Sequence, residues 1–188
     1  MTVALTTVKW TVKDYHRMIE AGVLAERRAE LLQGEIVEMA LEGMPHAHLS
    51  SSAADYIRER LAGRVKVREA KPITLGDASE PEPDLAIVAD LGDVYLEHHP
   101  YAENIFWLVE YADASLKKDM EVKRKLYGEA GIVEYWVVDL KRMELVVFAG
   151  LEQGGYLSRQ VLTAGQVTPI MFPEVSFAVD SVYSPLGN

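Results

Sequence analysis

The sequence predicts an α/β protein with a mixed central sheet flanked by helices. Short runs rich in Ile, Val, Leu and aromatic residues are bounded by turn-forming residues, as is typical of strands, and the clearest lie within 80–90 and 104–116. The segment 117–131 repeats apolar residues with helical spacing. We expect an N-terminal helix and hairpin, a long helix, further strands, a second helix and a closing antiparallel extension.

Length and composition favour one soluble domain over residues 1–188, with a core at about 10–150 and a C-terminal β extension at about 151–188. Apolar residues make up 49% of the 188 positions, which is enough for a sizeable core. The chain has no apolar run of the ~20 residues that a membrane helix requires and no signal-peptide pattern. We therefore expect a cytoplasmic protein without a membrane partner. Cysteine is absent, which excludes disulfides and thiolate metal sites.

The first part of the chain predicts a helix followed by a hairpin. Thr11 is a suitable N-cap for a helix over 12–21, and Gly22 would end that helix. Residues 29–40 predict two short strands around the turn-forming pair 33–34.

The middle of the chain predicts a long helix and a group of strands. A break at 43–45 precedes an amphipathic segment, 46–63, with apolar residues at helical spacing. Segments 65–70 and 72–75 are the next strand candidates. An acidic loop then leads into the strand that follows Pro83.

The last part of the chain predicts antiparallel strands. Two apolar runs, 133–140 and 144–150, flank a turn at 141–142, and 154–162 adds another strand. Residues 167–179 contain two prolines and suggest extended edge structure. Aromatic residues exposed in this segment would suit a homodimer contact.

Two acidic residues lie at the ends of the two clearest strands. Asp84 begins one apolar run and Glu110 is near the end of the other. If these strands are antiparallel neighbours, the two ends meet, and two carboxylates are a common protein contribution to a Mg²⁺ site. The alternatives are a strand-entry turn for Asp84 and a paired buried acid for Glu110.

One lysine lies on the apolar side of the predicted helix. At 100° per residue the apolar positions, Val122 among them, cover an arc of about 160°, and Lys123 falls near its middle, next to Asp119. Lys123 is therefore expected to point towards the sheet. The simpler explanation is an ion pair between residues 119 and 123, which would stabilise a helix by about 0.3–0.5 kcal/mol.

These motifs together resemble a known family. The runs PEPDLAIV and LVEYADASL, followed by D-x-x-x-K-x-x-x-Y-x-x-x-G-I-x-EYWVVDL, are similar to the bacterial Uma-type family of candidate restriction endonucleases, part of the PD-(D/E)XK nuclease superfamily. Asp84 and Glu110 match the two acidic positions of that pattern. Ala112 stands where the superfamily has its usual lysine, and Lys123 matches the lysine that the family carries on the following helix.

The resemblance implies a restriction-endonuclease-like fold and Mg²⁺- or Mn²⁺-dependent hydrolysis of DNA phosphodiester bonds. Asp84, Glu110 and the backbone carbonyl of Tyr111 would hold the metal, and Lys123 would stabilise the transition state or orient the water. The match also includes 29–39 and the H-x-x-L pattern that begins at His46.

Two further residues are second-rank candidates at the rim of that site. The resemblance suggests that an acid of the Gly34-Glu35 pair faces the metal, and Glu30 and Glu35 both flank the hairpin turn. A solvated hairpin acid is the alternative. His46, in the first turn of the long helix, would contact a phosphate or a water, and the alternative is a capping or surface histidine.

The net charge of −10 argues against DNA as a substrate, because nucleic-acid binders usually carry a basic face. Basic clusters occur at 58–71 and 117–125, but acids interrupt both. The alternative function is thus a catalytically inactive nuclease-like module for binding or assembly. Hydrolysis of another phosphate ester is a third, weaker possibility.

Overall fold

The computed structural model describes residues 6–183. The helices are α1 (Val12–Glu20), α2 (Met44–Leu61), α3 (Arg124–Glu129) and α4 (Val179–Tyr183), and a π-helical turn, Lys118–Lys123, leads directly into α3. The strands are β1 (Ala29–Leu32), β2 (Glu35–Glu38), β3 (Lys66–Glu69), β4 (Leu85–Val88), β5 (Ile105–Ala112), β6 (Glu134–Asp139), β7 (Glu144–Glu152), β8 (Gly155–Leu162), β9 (Gln166–Val167) and β10 (Phe177–Ala178).

A six-stranded sheet in the order β3-β4-β5-β6-β7-β8 forms the centre of the protein. All neighbouring strands are antiparallel except β5 and β6, which are parallel. A parallel pair requires a crossover connection, and the π-helical turn with α3 supplies it. The predicted α/β fold with a mixed central sheet is confirmed.

Helices and loops cover both faces of this sheet. On one face, α2, α4 and the segment 167–177 pack over buried aromatic residues that include Trp107 and Trp136. On the other face, α3 packs together with side chains from β1 and from the loop 72–75. Because strand side chains alternate between faces, β5 contributes residues to the cores on both faces of the sheet. No helix within residues 6–183 is long and apolar enough to cross a membrane.

Local sequence signals explain the N-terminal elements. The Thr11 side chain accepts a hydrogen bond from the Asp14 N–H, and the Asp14 carboxylate accepts one from the Thr11 N–H, which forms the capping box of α1. The β1–β2 turn has positive φ at both Gln33 (50°) and Gly34 (77°). A Cβ at position 34 would lie 2.9 Å from the Cβ of Lys9, so both backbone conformation and space favour glycine there.

Three expectations about local structure were wrong. Residues 72–75 are not a strand, because only Thr74 forms an isolated bridge, to Tyr101. The long helix begins at Met44 rather than at residue 46, since Pro45 fits its first turn. Val122 is 43% exposed, because the π-helical turn changes the angular spacing of the residues before α3.

The C-terminal extension differs from its prediction in a way that bears on oligomerisation. Strand β8 extends the main sheet, whereas β9 and β10 pair with each other in a separate small sheet. Phe172 and Phe177 are buried in the core, 6% and 0% exposed, so they are not available for a dimer contact. The homodimer prediction therefore loses the aromatic residues on which it rested.

Candidate active site

Pairing of β4 with β5 brings the two predicted acids to one end of the sheet. Leu85 lies opposite Val109, so the preceding Asp84 and the following Glu110 are neighbours across the two strands. The N–H of Tyr111 donates a 2.6 Å hydrogen bond to Asp84 Oδ2. The structure thus brings Asp84 and Glu110 together, as antiparallel pairing predicted.

His46 reaches the same end of the sheet from the first turn of α2. Its Nε2 lies 3.0 Å from Asp84 Oδ2, the oxygen that also accepts from Tyr111. Burial lowers the pKa of His46, but the hydrogen bond and the negative charge of Asp84 outweigh burial, and the pKa is raised overall. His46 therefore holds the Asp84 carboxylate in one orientation.

Lys123 points inward to Glu110, and its side chain is only 3% exposed. Its Nζ lies 2.7 Å from Glu110 Oε1 and 3.2 Å from Glu30 Oε2. The Tyr127 hydroxyl donates to the same Glu110 oxygen at 2.9 Å. Burial lowers the pKa of Lys123, but the negative charges of Glu110 and Glu30 outweigh burial and raise it, so the side chain remains a cation.

Of the two hairpin acids, Glu30 reaches the site and Glu35 does not. Glu30 is fully buried, and its Oε1 accepts from Lys118 Nζ at 2.8 Å. Burial raises the pKa of Glu30, but Lys123 and Lys118 outweigh it and lower the pKa. The Glu35 side chain is 65% exposed and pairs with Lys9. The expectation for Glu35 was therefore wrong, because this residue follows the turn directly and lies at the far tip of the hairpin.

The side chains surround a pocket of about 320 Å³ at the end of the sheet. Asp84, Glu110 and Lys123 form part of its wall, as do Lys118 and Asp119 of the π-helical turn. Asp119 is 1% exposed, and its Oδ1 is buried without a hydrogen-bond partner among residues 6–183. An unsatisfied buried carboxylate oxygen costs free energy, so its position at a pocket wall calls for a functional explanation.

Negative charge exceeds positive charge in this pocket. Three lysines, Lys118, Lys123 and Lys141, line it together with six carboxylates, those of Glu42, Glu82, Asp84, Glu110, Asp113 and Asp119. Burial raises the pKa of Glu110 well above its usual range, even though Lys123 acts in the opposite direction. Burial likewise raises the pKa of Asp119. The lining thus contains more acids than lysines, a balance that suits a bound cation.

The oxygen atoms of the two central acids are suited to a metal ion. The hydrogen bonds to Asp84 fall on Oδ2 and those to Glu110 fall on Oε1, so Oδ1 and Oε2 accept none from residues 6–183. Within that range, no three acidic or histidine side chains are grouped closely enough to hold a metal by themselves. Mg²⁺ usually takes one or two carboxylates and completes its shell with water and phosphate, so a two-acid site fits it.

Fold and site together define a nuclease-like α/β domain. The family model Uma2, described as "Putative restriction endonuclease", matches residues 12–180. This chain belongs to that family. The expectation drawn from the sequence motifs is confirmed.

A solved structure shows the same fold. The crystal structure of a protein from Anabaena variabilis, described as a "putative nuclease belonging to DUF820", matches with a TM-score of 0.74. The two proteins are 15% identical, and the alignment covers 93% of this chain and 97% of the other. At this identity the similarity establishes a shared fold. No curated protein matches the chain.

Sequence reasoning missed one member of the site, Lys118, left Glu30 undecided and underestimated Asp119. Lys118 falls on the outer side of the predicted helix, yet it contacts buried Glu30. Glu30 was considered only together with Glu35. Asp119 was interpreted as a simple partner of Lys123, although its position beside Lys123 in the helical pattern already placed it towards the sheet.

Proposed function

We propose that this protein is an endodeoxyribonuclease that hydrolyses DNA phosphodiester bonds with Mg²⁺ or Mn²⁺. One observation carries the proposal: Asp84 and Glu110 meet at adjoining strand ends, with a buried lysine 2.7 Å from Glu110, in a family of nuclease type. Two carboxylates beside a fixed cation are a suitable combination for phosphoryl chemistry.

The carboxylates of Asp84 and Glu110 would hold the metal, together with the backbone carbonyl of Tyr111. Such an ion polarises the scissile phosphate and lowers the pKa of a bound water. Asp84 Oδ2 is already fixed by His46 and by the Tyr111 N–H, which leaves Oδ1 for the ion. His46 is a positioning residue in this arrangement, because it acts through Asp84.

Lys123 supplies a permanent positive charge next to the phosphate. Its proton is retained because Glu110 and Glu30 both contact Nζ. A preorganised cation in a site that excludes bulk water stabilises the negative charge that develops on the phosphoryl oxygens. Tyr127 fixes Glu110 from the same side, so the ammonium and the carboxylate keep their relative positions.

An inactive binding module is the second candidate, and the distribution of charge favours it. The net charge is −10, and basic residues in the cluster 58–71 are engaged by acids: Arg58 pairs with Asp55 and Glu69, and Arg64 pairs with Glu174. Engaged guanidinium groups contribute less to phosphate binding. This function predicts no cleavage and no metal-dependent change in stability, and a partner protein that a pull-down would find.

The deciding experiment compares wild type with Asp84→Asn. Supercoiled plasmid is incubated with each protein in Mg²⁺, in Mn²⁺ and in EDTA, and thermal melting is recorded under the same conditions. Wild type should nick the plasmid only with metal, and its Tm should rise with metal because the ion binds only the folded state. Asp84→Asn should lose both effects while keeping its metal-free Tm.

The contrary results are equally clear. Cleavage that persists in Asp84→Asn would remove Asp84 from the site. Absence of cleavage and of any metal-dependent Tm shift in wild type, also with DNA present, would favour the binding module. Lys123→Ala is a poorer first test than Asp84→Asn, because it would leave Glu110 and Glu30 buried without their cation.

A further inference from the structure

The proposed reaction requires a proton acceptor, and Lys123 is unsuited to that role. Hydrolysis begins with a water that must lose a proton as it attacks phosphorus. Lys123 Nζ contacts Glu110 and Glu30, and these negative charges raise its pKa, so it carries a proton already. Lys118 is likewise paired, with Glu30 at 2.8 Å. Neither ammonium can accept a proton in this state.

Asp119 has the geometry that an acceptor needs. Its side chain is in the wall of the same pocket as Asp84 and Lys123. Three hydrogen bonds hold its backbone. Its N–H donates to the Ser115 carbonyl, and its own carbonyl accepts from the Arg124 N–H and the Tyr135 hydroxyl. A side-chain hydrogen bond with Ser115 also holds the carboxylate, while Oδ1 has no hydrogen-bond partner among residues 6–183.

The π-helical turn is what presents this carboxylate. Turns of this kind are rare, and they occur frequently at functional sites because they redirect side chains locally. Here the turn Lys118–Lys123 carries two fully buried charged residues, Asp119 and Lys123, on the side of the pocket. Val122 of the same turn faces outward, 43% exposed. The turn thus places the charged side chains of Asp119 and Lys123 on the pocket side and leaves the apolar Val122 exposed.

We propose that Asp119 is a catalytic residue whose carboxylate accepts the proton of the attacking water, an assignment that rests on the proposed nuclease function. The water oxygen forms the new P–O bond, its proton moves to the Asp119 carboxylate, and the P–O bond to the leaving sugar oxygen breaks. The leaving alkoxide takes a proton from solvent water, and Asp119 returns its proton to solvent. Each turnover therefore consumes one water and leaves Asp119 as a carboxylate.

The surroundings of Asp119 are consistent with a base. The charged and titratable groups that face it come from four elements and from its own turn: His46, Asp84, Glu110, Tyr135, Lys118 and Lys123. Burial and the charge of Asp84 raise its proton affinity, whereas Lys123 keeps the carboxylate form accessible. A carboxylate with raised proton affinity is a more effective base near neutral pH.

The test uses single-turnover plasmid cleavage by wild type, Asp119→Asn, Asp119→Glu and the control Glu121→Gln. Glu121 is on the same turn but exposed, so its variant should cleave like wild type. Asp119→Asn should be slower by about 10²–10⁴-fold, the usual contribution of a general base. The metal-dependent rise in Tm should remain, because Asp119 is not among the proposed metal ligands.

Two further readouts separate catalysis from support. Without the base, the residual rate of Asp119→Asn should increase tenfold per pH unit as hydroxide replaces it, and Asp119→Glu should recover part of the activity. The metal-free Tm of Asp119→Asn should equal or exceed that of wild type, because a buried carboxylate with one unsatisfied oxygen becomes a neutral amide.

Each contrary outcome points to a different failure. If wild type cleaves and Asp119→Asn stays within threefold of it, the assignment to Asp119 is wrong and the nuclease function stands. A slow Asp119→Asn with a lowered Tm and an unchanged pH profile would show a structural role instead. If wild type does not cleave at all, the nuclease function fails, and the role of Asp119 fails with it.

Discussion

Two buried glutamates on neighbouring strands have very different surroundings. Glu110 of β5 lies next to a lysine and three other carboxylates at the wall of a pocket. Glu134 of β6 is buried to the same degree, 1% exposed, but its contacts are neutral: Trp136 Nε1 donates to Oε1 and the Ile170 N–H donates to Oε2, both at 2.7 Å. No lysine or arginine among the described residues pairs with Glu134.

The difference separates a structural acid, Glu134, from the proposed metal ligand Glu110. Both oxygens of Glu134 are satisfied, and the contact to Ile170 fastens the C-terminal segment to the sheet. In Glu110 both hydrogen bonds fall on Oε1, and Oε2 is left for a ligand. Burial of an acid is thus a weak indicator of function by itself. Unequal use of its two oxygens, next to a fixed cation, is the stronger indicator.

Cleavage should distinguish the two glutamates most strongly. Glu110→Gln should reduce plasmid cleavage by about 10²–10³-fold, because the amide loses the charge that holds the metal. Glu134→Gln should stay within twofold of wild type. Single-turnover rates of both variants at saturating Mg²⁺ provide the measurement. Equal losses of cleavage rate in the two variants would contradict a metal-binding role for Glu110 and a structural role for Glu134.

Removing the cation should have a large effect on stability. Lys123→Ala leaves Glu110 and Glu30 buried without their partner, and such a change costs about 3–5 kcal/mol of unfolding free energy. The cost should be smaller at pH 5 than at pH 7, because lower pH allows the stranded acids to be protonated. Urea denaturation at both pH values measures it. A cost below about 1 kcal/mol at pH 7 would show that the pair is not desolvated in solution.

The pH dependence of stability should identify Glu134. Burial raises its pKa to about 7, while the Ile170 and Trp136 donors act in the opposite direction. Between about pH 4.5 and pH 7 the folded state binds more protons than the unfolded state, so this contribution to stability falls as pH rises. The separation between about 7 and 4.5 corresponds to about 3 kcal/mol in total.

Glu134→Gln removes that titration. The difference in unfolding free energy, variant minus wild type, should therefore shift in favour of the variant by about 3 kcal/mol from pH 4.5 to pH 8. Chemical denaturation at four pH values across this range measures the trend. The size of this free-energy difference at any one pH also reflects the hydrogen-bond donor that the glutamine amide introduces. The change of the difference with pH is therefore the diagnostic quantity. A flat difference would mean that Glu134 is ionised throughout.

The smallest effect is expected for an exposed acid of the hairpin. Glu35 pairs with Lys9 at the surface, and both side chains are more than half exposed. Glu35→Ala should change stability by only about 0.5 kcal/mol and leave cleavage unchanged, since exposed pairs contribute little. Glu30→Gln is the matched variant, because it removes a buried charge at the site. A loss of cleavage in Glu35→Ala would support the placement of Glu35 at the active site that the sequence motif suggested.

Much of the site could be predicted from local patterns. Strand alternation and apolar runs indicated β4 and β5, and the positions of Asp84 and Glu110 within them predicted that the acids meet. Helical periodicity predicted that Lys123 points inward, although Val122 was misplaced by the π-helical turn. Such signals are readable because they depend on backbone periods that each segment carries by itself.

Other features depend on contacts between distant segments. The burial of Glu30 is set by Lys118 and Lys123, 88 and more residues away, and nothing in the hairpin distinguishes it from Glu35. The burial of Phe172 likewise depends on Phe106 and Trp107 of β5, which pack against it. Residues 72–75 have strand propensity, but only one bridge forms there.

The sequence by itself determined the fold class, the order of most elements, and the pair of acids with its inward lysine. The tertiary structure decided which hairpin acid joins them, which oxygen of each carboxylate accepts hydrogen bonds, and that Oδ1 of buried Asp119 has no hydrogen-bond partner among residues 6–183. The physical reason is that periodicity and turn chemistry act within a few residues. Desolvation and hydrogen-bond satisfaction are decided only when separate segments meet.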